Sequence, residues 1–246
     1  MARASKAVGT KKDSDVAPQG ARARILDTAE QLFAREGVMA VTLRSIAAAA
    51  DVNVAAVNYY FGSKEKLFEE MFVRRVEPLN EDRLTRLHDC IARARGKPSL
   101  EAIVEAYVLP AAQLADASGA SARAIIVQFS LGRILAMPQA NQMLVRHYDR
   151  LRREYVAALQ QALPELAAHD VICRYYWMGG SLMCALAVPP GMVEPAPDQR
   201  DPAGPGLREA MADSLIGFLV AGFRSETKLA ATKLAETRLT KVSTVA

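Results

Sequence analysis

Apolar residues recur along most of this chain at three- and four-residue spacing, the period of helices that each bury one face. In 21–36 the positions Ile25, Leu26, Ala29, Leu32 and Phe33 make one stripe, and Gly37 stops it. Leu43, Ile46, Ala47 and Ala50 make a second, and Val57 with Phe61 a third. A long segment from Ser63 carries Leu67, Phe68, Met71, Phe72 and Val76 up to Pro78. A proline inside a helix removes one backbone bond and crowds the preceding turn, so a kink or short break is expected near Glu77. Helix resumes through Leu84, Leu87, Cys90 and Ile91 to Gly96, and Ser99 caps the next, which contains Pro110. Further helices are expected over 120–135, 139–163, 165–188 and 207–223, the last with Leu207, Met211, Leu215, Phe218 and Gly222 turned to the core. Little strand-like alternation occurs. The fold class expected is all-α.

The stretch TLRSIAAAADVNVAAVNYYFGSKEKL, residues 42–67, has the densest local signals. Thr42 is a helix N-cap type; Asp51-Val52-Asn53 breaks the helix, and Asn53 is a good cap for the next. Gly62 ends that second helix and Ser63 caps the long one, with Glu65 in its first turn where the helix dipole favours an acid. A short helix, a three-residue turn and a second short helix are helix-turn-helix geometry, the second helix sized for a DNA major groove.

The run T-L-x-x-I-A-x-x-A-x-V followed by N-Y-Y-F-x-S-K-E-x-L resembles the DNA-binding signature of the TetR family of bacterial transcriptional regulators, over roughly residues 22–72. Asp51 stands where that family most often has Gly, and Asn58 where an aromatic is common, so an operator sequence does not carry over from relatives. The resemblance implies a helix-turn-helix domain followed by a larger helical ligand-binding and dimerisation domain. The division expected is a basic, disordered arm over 1–20, the DNA-binding domain over 21–66, the larger domain over 67–224 and a frayed tail over 225–246. Residues 58–84 are similar to a subgroup that includes fatty-acid-responsive repressors, which implies a fatty acid or acyl thioester as effector.

Composition adds limits. The net charge is only +4, and residues 1–60 hold eight Lys/Arg against six Asp/Glu, so charge alone does not announce a nucleic-acid partner. A dimer would double that surplus on one DNA face. Three cysteines without CxxC spacing suit reduced thiols in a cytoplasm. No signal-like run begins the chain, and no uncharged stretch reaches the ~18 residues of a membrane span. His88, His147 and His169 are scattered, with no HExxH motif and no phosphate-binding glycine loop. Neither an enzyme nor a metal or cofactor site is expected.

Double-stranded DNA needs separate groups for positioning and for reading. The resemblance implies phosphate contacts at Thr42, Tyr59 and Lys64; Arg44 is counted with them. Asn53, Val54, Ala55 and Asn58 are the candidates for base edges, since Asn pairs bidentately with adenine and small methyls meet a thymine methyl. Ala55 also matters for being small, letting the helix approach the groove floor. For the effector, Tyr107, Gln128, Phe129, Trp177, Met178 and Met183 are the candidate lining. Pro78, Pro110 and the missing side chains of Gly132, Gly179 and Gly180 would open space between helices, and Arg123 or Arg133 is available for an anionic head. A homodimer surface is expected on 175–187 and 207–223. The alternative function is a helical lipid-binding carrier or an enzyme without a DNA role.

Overall fold

The computed structural model describes residues 18–117, 140–187 and 207–226. Eight helices are found among them: α1 Pro18–Glu36, α2 Leu43–Ala49, α3 Val54–Phe61, α4 Lys64–Arg93, α5 Leu100–Ala117, α6 Ala140–Ala162, α7 Ala168–Ala187 and α8 Leu207–Arg224. No strand occurs among the described residues, and none of the helices is long and apolar enough to cross a membrane. The basic arm, the helix expected over 120–135 with Gln128 and Phe129, residues 188–206 and the tail beyond residue 226 lie outside the described residues.

Two compact units divide the chain after Phe72. The division falls six residues beyond Lys66 because Leu67, Phe68, Met71 and Phe72 are all buried in the first unit. Phe68 meets Phe33 edge-on at 5.6 Å between ring centroids, an arrangement favoured by the quadrupoles of the two rings. The stripe expected on α1 (Ile25, Leu26, Ala29, Leu32, Phe33) is buried throughout, as are Ile46, Val57 and Phe61.

α4 runs from Lys64 to Arg93 with Pro78 inside it. The break expected near Glu77 does not occur. Proline removes a single donor, and Val76 before it and Leu79 after it are buried at 1% and 5% exposure; unwinding the helix would expose both. α5 likewise contains its interior Pro110. The second unit packs Leu84, Leu87, Ile103, Val104, Val108, Leu151, Leu159, Val171, Met178, Leu182, Leu219 and Phe223 into one core drawn from α4 to α8. Polar ties fix its ends. Arg174 of α7 donates to the carbonyls of Phe223 and Ser225, placing a cation at the negative end of the α8 dipole. Arg224 of α8 pairs with Glu101 of α5 at 2.6 Å.

The inward stripe expected on α8 is corrected. Ala212, Leu219, Val220 and Phe223 are buried, whereas Phe218 is 67% exposed and Gly222 lies on the surface; Met211 and Leu215 are half-buried. α8 is apolar on more than one side, so period alone leaves two candidate stripes, and packing against α5 and α7 selects one. α7 has the same character: Tyr175, Met178, Leu182 and Leu186 face the core, while Tyr176, Trp177, Gly180 and Cys184 form an outward strip.

Candidate nucleic-acid interface

The interface begins with a cap. Thr42, in extended backbone, accepts a hydrogen bond from the Ser45 amide at 3.0 Å, and the Ser45 hydroxyl accepts from the Thr42 amide at 2.9 Å. Serine takes the place that Glu or Gln usually holds in a capping box. α2 ends at Ala49, and the Val52 amide donates back to the Ala47 carbonyl at 3.0 Å. Asp51 sits at φ 52°, in the left-handed region. That explains both why glycine suits this turn and why an aspartate is tolerated in its place. Asp51→Val, which puts a β-branched side chain there, is expected to lower the stability of the first unit by about 1–2 kcal/mol, read as a shift in the thermal midpoint.

Asn53 caps α3, its Oδ1 accepting from the Ala55 amide at 2.9 Å. Val57 and Phe61 are then buried, and the opposite side presents Ala55, Asn58 and Tyr59 at i, i+3, i+4 spacing, all exposed. Tyr59 is 85% exposed, its ring leaning edge-on against Tyr60 at 5.3 Å. An aromatic that open gains nothing from the core. Thr42 and Arg44 are exposed at the start of α2, and Val54 is half-buried. Gly62 terminates α3 at φ 74°, its amide donating to the Asn58 carbonyl at 2.8 Å.

Ser63 starts α4 by accepting from the Lys66 amide at 3.2 Å. Hydrogen bonds from its own backbone N–H and from the Ser63 hydroxyl hold the Glu65 carboxyl below its ordinary range. Lys64 donates its ammonium to the Val41 carbonyl at 2.8 Å. That bond joins the first residue of α4 to the strap preceding α2.

Two sequence readings are sharpened. The Oδ1 of Asn53 is occupied by the cap, so bidentate pairing with a base would cost the helix its first-turn bond. Asn58 carries no cap and is exposed, so its amide is free of that constraint. Lys64 spends one of its three donors inside the protein, and its role is at least partly to hold α4 against α2. Arg24 was not anticipated: its Nε donates to the Ala50 carbonyl at 3.0 Å, tying α1 to the end of α2. Arg22 lies over the Phe61 ring at 5.2 Å and pairs with Glu70, so this cation is engaged in packing.

The effector candidates fare unevenly. Tyr107 and Met178 are buried and Met183 packs against the core. Trp177 is 66% exposed on the outward strip of α7 and does not line the interior. Nor is Gly179 an opening: a Cβ there would meet the Tyr107 hydroxyl at 3.3 Å, so that space is already filled. Gly180 is open on its surface side. No group of His, Cys, Asp and Glu among the described residues could hold a metal ion, and the three cysteines are free, burial pushing the Cys90 thiol up.

A capped two-helix reader with an exposed second helix, followed by a larger helical unit, defines a helix-turn-helix DNA-binding protein. The family model described as bacterial regulatory proteins, tetR family, matches residues 25–71, and the tetracycline repressor-like C-terminal domain model matches 105–222. The chain belongs to the TetR family of transcription regulators, which are not enzymes. Among solved structures it is similar to the ketosteroid transcriptional regulator KstR2 of Mycobacterium tuberculosis (17% identity, TM-score 0.53, 83% of this chain and 95% of that one covered). It is also similar to a TetR-family regulator from Shewanella sp. PV-4 (21%, 0.58, 80% and 97%) and to PfmR of Thermus thermophilus (19%, 0.55, 80% and 97%). At these identities the likeness is one of fold. No curated protein matches the sequence.

Proposed function

We propose that this chain is a dimeric, effector-responsive repressor, cytoplasmic like the DNA it would serve. α3 would enter the major groove, with Ala55 and Asn58 at base edges and Thr42, Arg44, Tyr59 and Lys64 on phosphates. The observation that carries the reading is the open face of α3: Ala55, Asn58 and an 85% exposed Tyr59 beside a rigidly capped turn. The dimer surface would be the outward strip of α7 (Tyr176, Trp177, Gly180) with the outward side of α8 around Phe218 and Gly222. Large exposed aromatics beside glycines permit close helix approach and mark an interaction face. A dimer places two readers about one helical turn apart, so the operator is near-palindromic.

α4 supplies residues to both units, which gives a route for regulation. An effector in the second unit would favour a displaced α4 and change the reader's position. The coupling is limited by the effector's preference between the two states, typically about 1–3 kcal/mol. A small apolar effector, with a fatty acid or acyl thioester first, suits the apolar core of that unit.

The test is selection of binding sites from random duplexes by the full chain, with its mass followed by sedimentation. An inverted-repeat consensus bound by two subunits is expected; a monomer that retains no duplex at low salt ends the reading. Against the selected site, Asn58→Ala should relax preference at one base step, a loss of about 1–3 kcal/mol of discrimination. A uniform loss across all sequences would move Asn58 from reading to positioning.

A further inference from the structure

The apolar stripe of α4 in the second unit contains one charge. Leu79, Arg83, Leu87 and Cys90 follow at helical spacing, and Arg83 is 1% exposed. Its Nε donates to the Tyr107 carbonyl at 2.9 Å, and its guanidinium lies over the Tyr107 ring at 4.1 Å. Among the described residues Nη1 reaches only the Asn80 Oδ1, at a long 3.4 Å. Nη2 is buried with no hydrogen-bond partner, and no carboxylate pairs with Arg83 among the described residues. Arginine cannot shed its proton, so the charge stays, and an uncompensated buried ion is costly.

Tyr148, Tyr155 and Tyr175 surround this charge without cancelling it. Burial raises all three phenols far above their ordinary value, outweighing the pull of Arg83, so they remain neutral at physiological pH. The Tyr155 hydroxyl donates to the Arg83 carbonyl at 2.9 Å, and the rings of Tyr155 and Tyr175 stand edge-on to that of Tyr107. Among the described residues, no carboxylate pairs with this guanidinium.

We propose that Arg83 is the anchor for the anionic head of the effector, and that the effector is an apolar monocarboxylate. Nη1 and Nη2 offer the parallel pair of donors that a carboxylate accepts bidentately. The buried core of the second unit, with Leu79, Leu151 and Met178 in it, is apolar and suits an uncharged body. A diphosphate or other multiply charged head would bring more charge than one guanidinium neutralises. This inference rests on the effector-regulated reading above and gives its site a chemistry.

The test uses the full chain and matched probes: octanoate, dodecanoate, hexadecanoate and benzoate, each against its primary alcohol, by titration calorimetry. At least one acid should bind wild-type protein about tenfold or more tighter than its alcohol. Arg83→Gln, which keeps a donor for the Tyr107 carbonyl, should bind that pair equally, and Arg83→Lys should keep part of the preference. Equal binding of every acid and alcohol to wild type overturns the anchor, whether or not either variant folds, and so does failure of every acid to bind. Operator release by an alcohol as effective as its acid also overturns it while leaving the effector-regulated reading intact. Loss of all operator binding without any probe would instead strike at the regulator itself.

Discussion

Ala55→Glu is expected to weaken duplex binding by about a hundredfold or more, roughly 3 kcal/mol, while leaving the protein folded and slightly stabilised. The two effects have opposite signs for a local reason. Position 55 is the second residue of α3, in the first turn where the helix dipole is positive, so an acid there favours the helix by about 0.3–1 kcal/mol. Facing DNA, the same carboxylate meets phosphates and fills the space that alanine leaves for the groove floor. Ala55 is exposed, so no core contact complicates the reading. Fluorescence anisotropy on the selected operator measures the loss, and thermal unfolding measures the gain. Parental affinity in Ala55→Glu would mean that α3 does not touch the duplex. Ala55→Gln, of equal length and neutral, separates the steric part from the charge.

The second large effect is in the support of that reader. Phe33→Ala should destabilise the first unit by about 3–5 kcal/mol, the usual range for deleting a buried aromatic whose cavity cannot collapse. Phe33 is 1% exposed and edge-on to Phe68, and α1 to α3 with the first turns of α4 hold only a small core. Folded domains have only about 5–15 kcal/mol in hand. Amide exchange should therefore accelerate across α1 to α3, with operator binding falling as the folded fraction falls, and α6 to α8 should stay protected. A cost below about 1 kcal/mol would show that the first unit does not rest on this aromatic pair.

The reader was legible because its signals are local. Thr42, Asn53 and Ser63 each cap a helix through a bond spanning two or three residues, and Asp51 and Gly62 stand where backbone sign demands them. Pro78 misled, since its local penalty is outweighed by burial on both sides of it. Trp177 misled because an aromatic in an apolar helix looks like lining until the neighbours of that helix are known. Arg83 left a trace, a single charge in a stripe of Leu79, Leu87 and Cys90, but its unpaired Nη2 is a fact about α5 and α6 as much as about α4.

By itself the sequence determined the helices among the described residues apart from the unbroken run of α4, the capped turn, the exposed face of α3 and the likeness to a family of DNA-binding regulators, all consequences of spacing within about ten residues. Tertiary structure decided which apolar side of α7 and α8 is interior, that α4 continues through Pro78, and that a guanidinium is buried among tyrosines with no carboxylate partner among the described residues. Period ranks the faces of a helix, but only packing against other helices removes one of them from water.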